Sequence, residues 1–592
     1  MKRTKLLFFG ITLIAVLEIT AEEPIYHPLL IESDSALYEL REEQYLQDGI
    51  LPEIFERPLS YSAFQAQIKK PTAVRLPLAQ SYFLYEIQLN TEISTTQPAD
   101  MYIARNIDEF VYAEDGLLDL NGDGIPETPQ TTDNYNINWG FVGTPKSISQ
   151  YTAYYAAWKM PSPVKIDASI ISGPFGVSYS QDIRPSFSNL SNNRGLTNVP
   201  LDINVIDVNF PYRTYINYYS DGVEASFGRD RLQSGPGRHS LTLNEQIPYY
   251  DYIRLRLKTG AISHTTYLIR LNPVLSSGEM QYINYLYDNW NEDSFVEPNA
   301  SWNPRTFDQS KHYILSKLSL SPLNWLHFDF TQMHLVGGRV PQLPDFNPLM
   351  VYHNLYEEGQ YSVPVSFAIA LLPIDGLKLF GELLIYDLEF GNETISEDST
   401  NPNALAYEVG ITYVTPQLKK PKNGYFRFDY EWNYVMPWTY VEESSYRNMT
   451  SRVVFTDPYN GRKWVDFPLG FYLGPDSFES CFSALLRKGR WNVRLEWTFT
   501  GKGSVYLEGY GPSSPIANKA LYSQNGLLTE KPNERITYEN DISITGNIAL
   551  PVRSGELSLT SKLGVHHRQN ISHVPGRDDI YPVAAIGIQY KR

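Results

Sequence analysis

The sequence holds one cysteine, Cys481, in 592 residues. That excludes an internal disulfide framework and any site built from several thiolates. In the strand-like run ESCFSALL it reads as a buried or wall-facing thiol rather than a nucleophile. No cysteine closes the leader, so lipoprotein anchoring is excluded too. Positive charge is also scarce: 49 Lys and Arg stand against 66 Asp and Glu, a net charge of -17. With no basic surplus to neutralise phosphates, nucleic acid is excluded as a partner. Beyond the leader no uncharged apolar run approaches the ~20 residues a membrane-crossing helix needs. Nucleophile chemistry is equally bare. There is no G-x-S-x-G elbow, and His239-Ser240, adjacent on an extended strand, point to opposite faces and cannot pair as a dyad. His566-His567 and the other histidines lack metal-ligand spacing with a carboxylate. These absences argue against an enzyme.

What is present begins with a leader. Lys2, Arg3 and Lys5 precede the apolar run Leu6 to Leu17, and Ala21 offers a small residue before Glu22-Glu23. This is the pattern of a cleaved export signal, residues 1–21. Export without a spanning helix leaves a secreted soluble protein or a membrane barrel. The 44 Tyr, 27 Phe and 10 Trp favour the barrel, whose interfacial girdles and strands use aromatics heavily.

Residues 22–75 read as a periplasmic helical segment. Leu37, Leu40, Tyr45 and Leu46 fall near one helical face, Ser33 or Asp34 can cap the start, and Asp48-Gly49 ends the run. Pro58 breaks the chain, and Ser60 can cap a second short helix through Phe64 and Ile68. The pair is expected to pack against the barrel's periplasmic end. From Ser81 the period changes to two, and strand patterns of roughly ten residues recur to the C-terminus. In WLHFDFTQM, Trp325, His327, Asp329 and Thr331 oppose Leu326, Phe328, Phe330 and Gln332. In VRLEWTF, Arg494, Glu496 and Thr498 oppose Val493, Leu495, Trp497 and Phe499. The fold class is therefore all-β: a large antiparallel transmembrane β-barrel over residues 76–592, with about 16 to 18 strands and a small N-terminal helical element. Its location is the outer membrane of a Gram-negative-type bacterium, its solvent the outer-membrane lipid, and its state a monomer.

Two stretches carry candidate chemistry. Asp119, Asn121, Asp123 and Glu127, with the Ile125 carbonyl, alternate oxygen donors around Gly122 and Gly124 as a hard cation such as Ca²⁺ requires. The twelfth position is Gln130, so full EF-hand geometry is absent, and a metal-free Asx-rich hairpin fits as well. A bound Ca²⁺ would be structural. The second stretch, FGRDRLQSGPGRHSLT, concentrates Arg229, Arg231 and Arg238, with Arg254 and Arg256 on the following strand. Arg254 and Arg256 share a face and must point away from lipid. Such a cluster suits a carboxylate, phosphate or acidic sugar; an internal network with lumen Asp and Glu suits it equally.

Three stretches in order resemble the Wzi-type capsule-assembly family of outer-membrane barrels: SALYELREEQYLQDGILPEIFERPLSYSAF, FGRDRLQSGPGRHSLTLNEQIPYYDYIRL, and YVMPWTYVEESSYRNM followed by DFPLGFYLGPDSFESCFSALL. Before G-P-G, where that family commonly has paired tryptophans, this chain has Gln233-Ser234. The resemblance implies an outer-membrane barrel of about 18 strands with a periplasmic helical element. It also implies a lectin-like, non-catalytic role in retaining capsular or other surface polysaccharide. Loop aromatics such as Trp302, Tyr434, Trp438 and Tyr440 are then the candidate contacts. The alternative is a porin or anion-selective channel with the arginines as its filter.

Overall fold

The computed structural model describes residues 30, 36–60, 63, 88–94, 153–158, 165–172, 175–182, 201–202, 207–208, 213–220, 222–247, 249–275, 310–347, 360–388, 403–416, 424–442, 446–457, 461–503, 536–552, 555–570 and 574–591. One antiparallel sheet, closed into a barrel, holds most of them. Its strands pair with their sequence neighbours in a continuous series from Phe175–Asp182 through Arg213–Ser220, Val223–Asp230, Tyr250–Thr259 and Ile262–Leu271. The series goes on through Lys311–Leu323, Leu326–Gly337, Val365–Ile374, Leu377–Asp387, Ala404–Val414 and Tyr425–Val435. It ends through Ser477–Lys488, Trp491–Lys502, Thr537–Val552, Gly555–Gln569 and Asp579–Lys591. The C-terminal strand pairs in turn with Gln88–Ser94, which is the sheet's link back to the start of the chain.

At one end the hairpins close tightly, with the last paired residues at 259/262, 323/326, 374/377, 488/491 and 552/555. At the other end successive strands are separated by long stretches of sequence, 231–249, 272–310, 388–403, 436–476 and 503–536. This asymmetry is the one that outer-membrane barrels show, with short turns on the periplasmic side and long loops outside.

The faces are inverted relative to a soluble sheet. Along Tyr250–Thr259, Ile253, Leu255 and Leu257 lie outward at 48%, 43% and 45% exposure, while Arg254 and Arg256 are buried inside. The same alternation exposes Phe328, Phe367, Val409, Phe428, Leu495, Ile544 and Leu563 on other strands. Water would make such a belt unstable, and lipid makes it the ground state. At the long-loop end the outer aromatics stack: Trp432 on Tyr434, Tyr434 on Tyr407, and Phe499 on both Trp497 and Tyr538. These form an interfacial girdle. Within Leu326–Gly337 the expected faces hold for His327, Asp329 and Thr331, which are buried, against Phe328, which is exposed. Gln332, on the face of Phe328 by register, is nevertheless buried, and Trp325 lies in the turn, half exposed.

The N-terminal helix spans Ala36–Gln47, and Gly49, with φ of 71°, ends it where an L side chain would be strained. The Ser60 side chain accepts the Ala63 amide, as a cap does, but most of the expected second helix lies outside the described residues. At the helix's C-terminal end Leu46, with Leu51 just beyond it, packs on Ala370, Leu372, Phe380 and Val414 of the wall. The helix enters the lumen at the turn end, where Leu46 O accepts from the Gly376 amide at 2.6 Å and Leu51 N donates to Asn324 O at 2.8 Å. Glu43 and Arg41 are as buried as Tyr45 and Leu46; Glu43 faces Arg487 of the wall, and Arg41 lies over the Tyr45 ring.

Candidate functional site

The lumen bounded by the strands from Arg213 to Lys502 is filled from both ends. From the turn end comes the helix, whose carboxylates meet wall cations. Glu39 pairs with Arg487 at 2.7 Å and Arg494 at 2.5 Å. Glu42 pairs with Arg427 at 2.7 Å and with Lys378, and Glu43 with Arg487 at 3.0 Å and the Tyr425 hydroxyl. Burial alone would raise the Glu39 carboxyl, but Arg427, Arg494 and Arg487 outweigh it and hold it at about 2. Glu42 is likewise held at about 2, by Lys378 and Arg427 against its burial. For Glu43 burial wins over Arg487 and Arg427, and its carboxyl is pushed up to about 7. Farther along, Glu53 pairs with Lys258, and Glu56 accepts from Thr265 at 3.0 Å beside Lys317 at 3.7 Å.

From the loop end, residues 231–249 turn inward. Gln233–Ser234 forms a short antiparallel pair with Glu56–Arg57, so the two ingrowing segments join inside the barrel. The Gly235-Pro236-Gly237 turn sits against the wall: a Cβ on Gly237 would lie 1.6 Å from Glu408 Oε1. Any side chain there would have to displace the Glu408 carboxylate. Glu431 accepts the backbone amides of Arg238 at 2.6 Å and His239 at 3.2 Å. His239 lies between Glu245 at 2.6 Å and Glu479 at 3.0 Å. Burial would lower its pKa, but Glu479 and Glu245 prevail and raise it well above the ordinary imidazole value. Leu241, Leu243 and Ile247 then join Phe467, Leu469 and Phe471 of the 436–476 connection in an apolar core above the turn. A cavity of about 290 Å³ remains between helix, turn and wall, lined by Glu39, Phe55, Arg238, Lys378, Arg427 and Glu496 among others.

Each candidate arginine has its place in this arrangement. Arg254 and Arg256 point inward as their alternation predicts and share the buried carboxylate of Glu224; Arg254 also donates to Pro58 O. Arg229 forms a two-pronged pair with Asp251, at 2.6 and 2.8 Å, and lies over the Tyr249 ring. Arg238 reaches Glu496 at 3.1 Å, and Arg231 is half-buried at the mouth of the inward loop. Of the two readings open at the sequence level, the internal carboxylate network is the one whose contacts are formed. Trp438 and Tyr440 are buried rather than displayed: the Tyr440 hydroxyl donates to Leu241 O at 2.9 Å and accepts from the Phe471 amide. Tyr434 lies in the outer girdle. Asp119, Asn121, Asp123, Ile125, Glu127 and Trp302 lie outside the described residues. The residues that reasoning from sequence overlooked are the lumen carboxylates Glu224, Glu382, Glu408, Glu431 and Glu479. Their signal is a single acid in an otherwise apolar, alternating run, as in LAYEVGITYV.

No protein-family model matches the chain, and no curated protein matches it. Among solved structures it is similar in fold to Wzi of Escherichia coli, described as an outer membrane protein involved in group 1 capsule assembly and a carbohydrate-binding β-barrel. Identity there is 12%, coverage 94% of this chain and 98% of that one, and the TM-score 0.44. It is also similar to OccK10 (OpdN) of Pseudomonas aeruginosa, at 8% identity, 86% and 98% coverage and a TM-score of 0.36. An anion-selective porin from Comamonas acidovorans follows at 7% identity, 87% and 99% coverage and 0.32.

Proposed function

We propose that the chain is an outer-membrane barrel that holds surface polysaccharide at the cell exterior without performing a chemical step. The observation supporting this over a channel is the filled lumen. Helix and inward loop neutralise wall cations with their own carboxylates, and an apolar core packs above them. A porin keeps a hydrated path, whereas an anchor needs only a rigid platform for its external loops. Capsular or other exopolysaccharide is the ligand class that the family resemblance supplies, and the long connections are where it would be met. A Ca²⁺ held by Asp119–Glu127 would be structural, ordering that stretch alone.

Deleting the gene tests the reading. The expected outcome is polysaccharide synthesised at the normal level but shed into the medium. Unchanged retention, together with ion-sized conductance steps from the purified chain in planar bilayers, would instead make it a channel.

A further inference from the structure

The carboxylates deepest in the lumen do not all have counter-charges. Glu382 and Glu408 stand directly opposite on neighbouring strands, both inward, at 6% and 1% exposure. Neither oxygen of Glu408 has a hydrogen-bond partner; Glu382 accepts from Ser366 with one oxygen and has none on the other. The cations around them are committed elsewhere. Lys378 holds Glu42 and Pro236 O, and Lys317 holds Asp329 at 3.0 Å and Ser234 at 3.0 Å. From the inward loop, His239 is taken by Glu245 and Glu479, and Arg238 by Glu496. On the next strand Glu431 is satisfied by two backbone amides and by Asn433, the residue opposite Glu408. Directly above sits the Gly235–Gly237 turn, where added Cβ atoms would lie 3.2 Å from Glu382 Oε2 and 1.6 Å from Glu408 Oε1.

Two adjacent carboxylates out of water, without a cation between them, are relieved by taking up one proton. We propose that Glu382 and Glu408 share that proton, and that it latches the Gly235–Gly237 turn inside the lumen. Losing it puts two neighbouring anions beneath the turn. The pair then competes with Pro236 O for the Lys378 ammonium, and the turn lifts away. The latch stands independently of the polysaccharide reading.

Cys481 is a built-in reporter: it is the chain's one cysteine, lines the same cavity, and lies 3.2 Å from the Arg238 guanidinium. Its labelling by a methanethiosulfonate is measured on the full chain in detergent at pH 7 and pH 10, for the native sequence and for Glu408→Gln. The ratio of the two rates cancels the thiol's own ionisation. Glu408→Gln carries the neutral state permanently, so the ratio is expected near one at pH 7 and about tenfold at pH 10, the effect of about one pKa unit of coupling. A ratio that stays flat overturns the latch. Glu382→Gln removes the other member and must behave alike if Glu408→Gln does not fold. A ratio at pH 7 that responds to added calcium or to a chelator overturns the proton in favour of a metal.

Discussion

At the scale of single residues the chain depends on buried charge matched by buried charge. Glu224 serves both Arg254 and Arg256 on the lumen side of the strand whose other side carries Ile253 and Leu255. Removing one partner of a buried ion pair is costly because the other is left desolvated, typically by about 3–5 kcal/mol. Glu224→Ala should therefore lower the unfolding free energy of the barrel in lipid vesicles by that order, seen as a lower urea midpoint. Adding Arg254→Met and Arg256→Met should recover most of the loss. A triple variant no better than the single one would mean that Glu224 acts by packing alone. The inward direction of Arg254 and Arg256 was legible in the sequence, since alternation with Ile253, Leu255 and Leu257 leaves charge one face to take. Their partner was not. Glu224 is thirty residues earlier on another strand, and strand register is fixed by long-range pairing that no local pattern encodes.

At the scale of elements the N-terminal helix carries opposing pH dependences. Glu39 and Glu42, lowered from 4.5 to about 2, stabilise the seated helix above pH 4.5, and that contribution is lost as pH falls toward 2. Glu43, raised from 4.5 to about 7, acts in the other direction. Its contribution is whole below pH 4.5 and is lost as pH rises through 7. Each shift corresponds to on the order of 3 kcal/mol. Amide hydrogen exchange over residues 36–47, corrected for intrinsic rates, should show greatest protection near pH 4.5. In Glu43→Gln that protection should persist to pH 7 and beyond. Identical profiles for the two proteins would refute the assignment of the alkaline limb to Glu43. The helix and its end at Gly49 were readable from periodicity and turn chemistry. Leu46 does pack on an apolar patch of the wall, but the ion pairs of the helix were not legible. Glu39, Glu42 and Glu43 look like a solvated face until the facing cations, more than 300 residues away, are known.

For the whole molecule, an acidic chain has a basic inner wall at its turn end. Lys258, Lys317, Lys378, Arg427, Arg487 and Arg494 all face the N-terminal segment and are neutralised largely by its Glu39, Glu42, Glu43, Glu53 and Glu56. The sequence displays the net acidity and conceals this inner field, since wall cations scattered over several strands never form a run. Cutting residues 22–60 from the exported chain removes the counter-charge and also the Glu56–Arg57 pairing that holds the inward loop, leaving the wall cations lining an emptied lumen. The truncated protein is therefore expected to pass current where the full chain passes none, with chloride favoured over potassium in reversal-potential measurements across a salt gradient. Charge focused by low-dielectric walls draws counter-ions, and the preference should fade as ionic strength rises. Restoring the missing segment in trans should close the pore, because the carboxylate pairs and the Glu56–Arg57 bridge to Gln233–Ser234 rebuild the same seat. Current without anion preference would mean that wall and plug are not matched by charge, and the helix would then be a steric stopper alone.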